Sequence, residues 1–167
     1  MLRQSSAQVP ADQYVLAIDL GTSGPKVAIV SEMGEVLDCE VESTELILLP
    51  EGGAEQDPVD WWSAICKASQ RLIAKNIVPV EQIDCVAVTS QWSGTVAVDA
   101  QGKHLYNSII WMDSRGAKHV SRMMDGLVKF QGYDVVKLAQ WIMLTAGMPG
   151  LSGKDPLAHI LFIKNEM

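Results

Sequence analysis

Basic residues are scarce in this chain: 13 lysines and arginines face 20 aspartates and glutamates, a formal net charge of −7. Non-specific nucleic-acid binding leans on basic surface to neutralise phosphates, so no nucleic-acid partner is expected. Any nucleotide has to be met by local charges and magnesium. Cysteine is sparse as well. Cys39, Cys66 and Cys85 are an odd number, widely spaced among apolar neighbours. A disulfide framework would use more of them and a zinc site would pair them, so they read as reduced core thiols. No apolar run is long enough to span a bilayer and the first residues lack the hydrophobic segment of a secretory signal, so no membrane partner is expected and the cytoplasm is the default compartment. No internal repeat is visible. The 167 residues match one domain of ordinary size, and 48% hydrophobic residues is ample for its core.

What is present begins with Tyr14-Val-Leu-Ala-Ile-Asp-Leu-Gly-Thr-Ser-Gly-Pro-Lys26, which reads as a strand, a tight glycine-rich turn and a second strand. Gly21 and Gly24 let main-chain amides approach an anion without a Cβ in the way, and Thr22 and Ser23 add hydroxyl donors. Asp19, at the end of the first strand, would repel phosphate by itself. A carboxylate there makes sense beside a magnesium ion that also carries phosphate oxygens. Lys26 adds a mobile point charge on the same hairpin. The competing reading is an ordinary hairpin whose glycines only make the turn, since short glycine motifs recur without ligands.

Along the chain, Met1 to Gln13 is polar and aperiodic and reads as a mobile leader. Val36 to Ser43 follows as a third strand, so Tyr14 to Ser43 forms a meander turning at Met33-Gly34. Leu46 to Leu49 is a short apolar run before the loop Pro50-Glu-Gly-Gly53. Asp57-Pro58 opens a helix, with Asp57 as cap and Asp60 at its positive end. Trp62, Ile65, Cys66, Ser69, Leu72 and Ile73 form its predicted sheet-facing stripe, with Trp61 and Trp62 as core or edge residues. Ile83 to Thr89 reads as a buried strand. Thr95 to Val98 is expected to pair with His104 onward across Ala100-Gln-Gly102. Helices are predicted from about Ser114 to Phe130 and Asp134 to Thr145, and Asp155-Pro156 caps a last one.

Thr89-Ser-Gln-Trp-Ser-Gly94 ends the buried strand, and Ile109-Ile-Trp-Met-Asp-Ser-Arg115 ends the next hairpin. Both set polar groups beside an indole. A polyol needs that pairing, because its hydroxyls want directional partners and its CH faces want an aromatic wall. Gln91, Ser93, Asp113 and Arg115 are candidates for the polar part, with Trp92 and Trp111 for the wall. Alternatively the tryptophans are core, Asp113 or Ser114 caps a helix, and Arg115 forms a surface pair.

Three antiparallel strands, a helix, a returning strand and more helices give the order of an α/β, ribonuclease H-like domain of the actin, sugar kinase and Hsp70 type, with a mixed sheet that starts as a three-strand meander. Asp19-Leu-Gly-Thr-Ser23 with Lys26, Glu55-Gln-Asp-Pro58 before a tryptophan-bearing helix, Ser90-Gln91 ahead of Gly94, and Ile110-Trp-Met-Asp-Ser-Arg115 resemble the amino-terminal domain of the FGGY carbohydrate kinases. The likeness runs from about Tyr14 to the last residue, and it is nearer to the xylulose kinase branch than to the glycerol kinases. Glycerol kinases carry an arginine and a glutamate where this chain has Trp92 and Ser93, and xylulose kinases typically a methionine and a histidine. Pro25 is a further departure and is expected to stiffen the hairpin.

The resemblance implies ATP-dependent phosphorylation of a sugar hydroxyl with Mg2+, on a ketopentose such as xylulose or a related sugar or polyol. Asp19 would organise metal and phosphates as the catalytic and metal-binding carboxylate. Gly21, Thr22, Ser23 and Lys26 would meet the phosphates. Gln91, Trp92, Ser93, Trp111, Asp113 and Arg115 would line the sugar side. The family's general base and most of its adenine pocket lie beyond residue 167, and the last helix pattern stops at Met167 without a capping signal. The expectation is therefore an amino-terminal domain spanning 14–167 of a longer chain, inactive alone, with its carboxy-terminal ATP-binding domain absent. An uncovered apolar face would favour self-association, a homodimer included. A glycerol kinase-like enzyme, a non-catalytic sugar-binding or regulatory module, and an actin-like or chaperone-type ATPase stay open at this point.

Overall fold

The computed structural model describes residues 13–167, so the leader expected over residues 1–13 lies, Gln13 apart, outside the described residues. The chain divides into two compact units. The first takes in the described residues up to Ser43 together with Ser63–Ser90, and the second comprises Thr44–Trp62 and Gln91–Met167.

The first unit is built on a mixed sheet. β1 (Tyr14–Gly21), β2 (Gly24–Ser31) and β3 (Val36–Val41) form the antiparallel meander, and β6 (Ile83–Ser90) returns parallel to β1, giving the order β3-β2-β1-β6. Alternation decides the faces. Leu16 and Ile18 of β1 and Val27 and Ile29 of β2 bury their side chains on one side, against Ala68 and Leu72 of the helix α1 (Pro58–Ala74). Ala64 is also buried, so the stripe turned to the interior runs through Ala64, Ala68 and Leu72. Leu72 and Ile65 of the predicted stripe pack there, whereas Trp62 and Ile73 of that stripe are exposed. Two alanines let the helix sit close to the sheet, whereas an indole would hold it off. Along the outer edge, Arg71 pairs with Glu40 and Glu42, and Lys75 with Asp38 and Glu40. Lys75, with Cys39 N–H, holds the Asp38 carboxyl below its ordinary range.

The predicted burial of β6 is also corrected. Val86 and Val88 are 59% and 66% exposed, because β6 stands at the edge of this sheet and the buried helical stripe lies over β1 and β2. The three thiols are free, as read from the sequence, but Cys39 and Cys85 are exposed and not in the core.

In the second unit, β4 (Ile47–Leu49), β5 (Gly53–Gln56) and β7 (Ser108–Ile109) form a small antiparallel sheet in the order β4-β5-β7. The Thr95–Val98 pairing is present as bridges from Thr95 to Ile109 and Val98 to His104, around Gly102 at φ +80°. The long helix predicted from Ser114 is cut to α2 (Ala117–Met123). Its continuation becomes a two-residue hairpin, β8 (Lys129–Phe130) and β9 (Tyr133–Asp134), turning through Gln131 and Gly132, both at positive φ. Gly126 marks that break: a Cβ there would lie 2.1 Å from Asp134 Oδ2. α3 (Val135–Thr145) starts as predicted, its cap Asp134 accepting from Val136 and Lys137 N–H. α4 (Pro156–Glu166) starts at the predicted cap Asp155, which accepts from Ala158 N–H. Val120, Met124, Tyr133 and Ala158 form the core of this part.

Candidate functional site

The phosphate-hairpin candidates lie in the first unit. Register pairs Asp19 with Lys26 and Gly21 with Gly24, leaving Thr22 and Ser23 as the two-residue turn. Lys26 Nζ reaches back across the strands to Asp19 Oδ2 at 3.1 Å, with both side chains about half exposed. A Cβ at Gly21 would sit 3.7 Å from that ammonium and 3.4 Å from Gly24 O, so the missing side chain keeps the space beside Lys26 open. Gly24 is required for another reason. Its φ is +127° and a Cβ would fall 1.9 Å from Glu42 O, because the chain leaving β3 packs directly over the turn and Glu42 N–H donates to Pro25 O. Pro25 is wholly buried there. The turn therefore presents an accessible cation, a carboxylate and two hydroxyl residues on a rigid base.

The sugar-side candidates lie in the second unit, on two turns. After Ser90 the chain turns through Trp92 and Ser93. Trp92 is 73% exposed, while Ser93 is buried in the left-handed region at φ +58°. Ser93 Oγ has no hydrogen-bond partner among the described residues. A non-glycine residue at positive φ beside an orphaned buried hydroxyl is the kind of strain that clusters at ligand sites. The second turn closes where Asp113 N–H donates to Ile110 O at 2.9 Å, which puts Trp111 and Met112 at its tip. Trp111 is 39% exposed. Neither indole is core.

Asp113 and Arg115 sit below these tips. Asp113 is 0% exposed, and its carboxylate accepts from Ala54 N–H at 2.9 Å, Arg115 N–H at 2.9 Å and Arg115 Nε at 2.8 Å. Arg115 Nη2 also lies 2.6 Å from Glu55 Oε1, and the guanidinium stacks on Phe162 at 4.4 Å. Burial works against the Arg115 cation, and the bonds from Asp113 and Glu55 more than offset it, so its pKa is raised. The alternative of a surface pair is thus replaced by an interior ion network that locks the Trp111 turn to β5 through Ala54 and Glu55.

Sequence reasoning missed β5 as a strand, because its first residue, Gly53, is read as the end of the loop Pro50-Glu-Gly-Gly53. Its alternation divides the work: Glu55 meets Arg115, and Gln56, wholly buried, accepts from Gln91 Nε2 at 2.8 Å. Gly53-Ala-Glu-Gln56 carries no apolar/polar alternation, so the sequence offered no periodic signal for this strand.

The sequence profile described as the FGGY family of carbohydrate kinases, N-terminal domain, matches residues 14–147, and the chain belongs to that family. Its relatives include kinases for different substrates. The chain is 39% identical to a glycerol kinase of Corynebacterium efficiens over 107 residues, 63% of this chain and 21% of that protein. It is 34% identical to a xylulose kinase of Bacillus subtilis over 115 residues, 68% of this chain and 23% of that protein. It superimposes on the crystal structure of xylulose kinase from Bifidobacterium adolescentis with a TM-score of 0.71 at 21% identity, over 93% of this chain and 30% of that one, a likeness of fold. The chain thus spans less than a quarter of the length of these two curated relatives.

Proposed function

We propose that this chain is the amino-terminal, sugar-side domain, ribonuclease H-like in fold, of a longer cytoplasmic ATP-dependent kinase that phosphorylates a ketopentose such as xylulose. The observation that carries the sugar reading is the Gln91-Trp92-Ser93 turn, in which an exposed indole stands beside a half-buried amide and a buried, unpartnered hydroxyl. A sugar presents CH faces to the first and hydroxyls to the other two. Trp111 offers a second wall. Asp113 and Arg115 serve by holding that turn in place rather than by reaching out, since their polar atoms are engaged with each other, Ala54 and Glu55.

On the first unit, Gly21, Thr22, Ser23 and Lys26 are the groups suited to the phosphates of ATP, and Asp19 to magnesium. Among the described residues no cluster of three or more His, Cys, Asp or Glu side chains could hold a metal. Magnesium needs no such cage when phosphate oxygens and waters complete its shell, so a single carboxylate fits it. Bound there, the ion would neutralise phosphate charge. Lys26 supplies cationic charge within reach of the same carboxylate, and the Gly24-Pro25 base fixes the turn so that little reorganisation is needed. The general base is assigned to a later segment.

A glycerol kinase-like enzyme is the second reading, favoured by the 39% identity to a glycerol kinase. The discriminating experiment is ADP release by the longer gene product with xylulose, ribulose and glycerol in turn. Preference for a ketopentose supports the proposal, preference for glycerol installs the second reading, and ATP hydrolysis indifferent to all three would leave an actin-like or chaperone-type ATPase. No helix among the described residues is long and apolar enough to cross a membrane.

A further inference from the structure

We propose that the outer face of α3 pairs two copies of this chain, helix against helix, antiparallel about a two-fold axis between Ala139 and Gln140. Eight of the eleven residues of α3 are apolar, all eleven are described, and none of them is buried. A helix that is apolar all round belongs in an interior, so its outer side calls for a cover. Leu138 packs against the core of the second unit, and Trp141, one turn on, is half-buried. At about 100° per residue the opposite side carries Val136, Ala139, Gln140 and Met143, all exposed, with Leu144 on its flank. Val136, Met143 and Leu144 are 61%, 78% and 85% exposed.

Size, charge and symmetry point to the occupant. Leu127, Val128 and Phe130 of the preceding hairpin and Met148 beyond the helix are also mostly exposed, and Val135 N–H donates to Val128 O at 3.0 Å, which ties the hairpin to the start of α3. With Val136, Met143 and Leu144 these make seven apolar side chains. At roughly 100 Å² each they present about 700 Å², near the roughly 800 Å² that each partner gives a stable interface. The helix face is also neutral. Within α3 only Lys137 is charged, and its ammonium donates to Met123 O at 2.9 Å and Asp125 O at 2.6 Å. On the hairpin, Lys129 is matched by Asp125. A charged partner would find little to pair with, and a lipid surface would meet no basic rim on a chain of formal charge −7. A second copy needs neither. The antiparallel two-fold sets Val136 opposite Met143 of the second copy at both ends, and Gln140 over the small Ala139 in the middle, so one patch serves both copies. The pairing is independent of the kinase reading.

Sedimentation equilibrium of the 167-residue chain and of the longer gene product is the test. At about 100 μM both should be dimeric, since interfaces of this size reach a micromolar Kd or tighter. Met143→Glu, and separately Val136→Lys, should raise the dimer Kd at least about tenfold, because each sets an unpaired charge against an apolar side chain. Circular dichroism should stay that of the parent, since both positions are exposed. Mixed in equal amounts, the two variants should pair with each other more readily than either pairs with itself, because the antiparallel register brings the new ammonium and carboxylate together. Should either variant not fold, Gln140→Lys takes its place: it sets two ammonium groups beside the axis and should dissociate the pair, and an undiminished dimer there would overturn the proposal. No preference in the mixture, a dimer indifferent to the single substitutions, or a monomeric parent would overturn it as well. So would a dimer confined to the 167-residue chain, which would mean that later sequence covers α3. A monomer that cosediments through α3 with mixed phosphatidylcholine and phosphatidylserine vesicles would overturn it in favour of a lipid surface.

Discussion

Asp113→Asn removes one charge and changes one atom's polarity without changing shape, and every group around that carboxylate is a donor. Oδ2 takes Ala54 N–H at 2.9 Å, Arg115 Nε at 2.8 Å and Arg115 Nη2 at 2.7 Å, while Oδ1 takes Arg115 N–H at 2.9 Å. Whichever way the new amide turns, its NH2 faces at least one N–H donor, and the Arg115 cation keeps only Glu55 as an anionic partner. Breaking a buried, hydrogen-bonded ion pair by removing one partner costs about 3–5 kcal/mol, and the surviving Glu55 contact places the expectation near the lower end, about 3 kcal/mol. Against a total stability of about 5–15 kcal/mol that is a large fraction. The corresponding fall in midpoint is about 6–12 °C for a chain of this size. Thermal and urea unfolding of the purified variant measure it. A loss below about 1 kcal/mol, the range of ordinary surface substitutions, with a raised sugar KM, would refute the bracing role and return Asp113 to direct sugar contact.

Gly24→Ala should cost at least about 2 kcal/mol, since φ is +127° and the new Cβ would lie 1.9 Å from Glu42 O; unchanged urea unfolding would show that the chain beyond β3 yields freely. Trp92→Ala should change which sugars are accepted more than it changes the KM for ATP, and should leave the melting point close to that of the parent because the indole is 73% exposed; a large loss of stability would place it in a core after all. Burial holds the His159 imidazole below its ordinary value of 6.5, against the pull of Asp113 and Asp155 and with the help of Arg115. The folded chain therefore binds that proton less readily than the unfolded one. The His159 contribution to stability is present above pH 6.5 and is lost as pH falls from there toward the folded value, so the drop in stability as pH falls below 6.5 should flatten in His159→Gln. An equal slope in both proteins would remove the histidine from that dependence.

The elements with strong local signals were legible. Asp57-Pro58, Asp134 and Asp155 each put an oxygen acceptor before a helix start, and each of those helices begins where the cap lies. The meander was legible because its alternation and its Gly21–Gly24 turn agree. Reading failed where tertiary context decides. A run such as Ile83–Thr89 looks the same whether a sheet continues past it or ends there, so the exposure of Val86 and Val88 could not be read. The helix predicted past Met123 broke because Gln131-Gly132 turns a hairpin and Gly126 is needed for Asp134 to approach, a contact between residues eight apart. At the site, Trp92 and Trp111 were named as a wall or as core, and their exposure excludes the core. The burial of Asp113 could not be foreseen, because Ala54 and Glu55 lie far away in sequence, and Gln56 was hidden in a strand whose first residue is a glycine.

The most direct measurement is sugar-dependent ADP release by the longer gene product with and without Asp19→Ala, with circular dichroism confirming that the variant is folded. Asp19 faces Lys26 across the hairpin with both side chains about half exposed, so its loss should leave the sheet intact. Expected is a ketopentose-dependent turnover in the parent that falls by orders of magnitude in the variant, because positioning of phosphates and metal supplies most of the rate. Near-normal, sugar-dependent turnover in a well-folded Asp19→Ala protein would remove this hairpin from phosphoryl transfer and contradict the kinase assignment of the site.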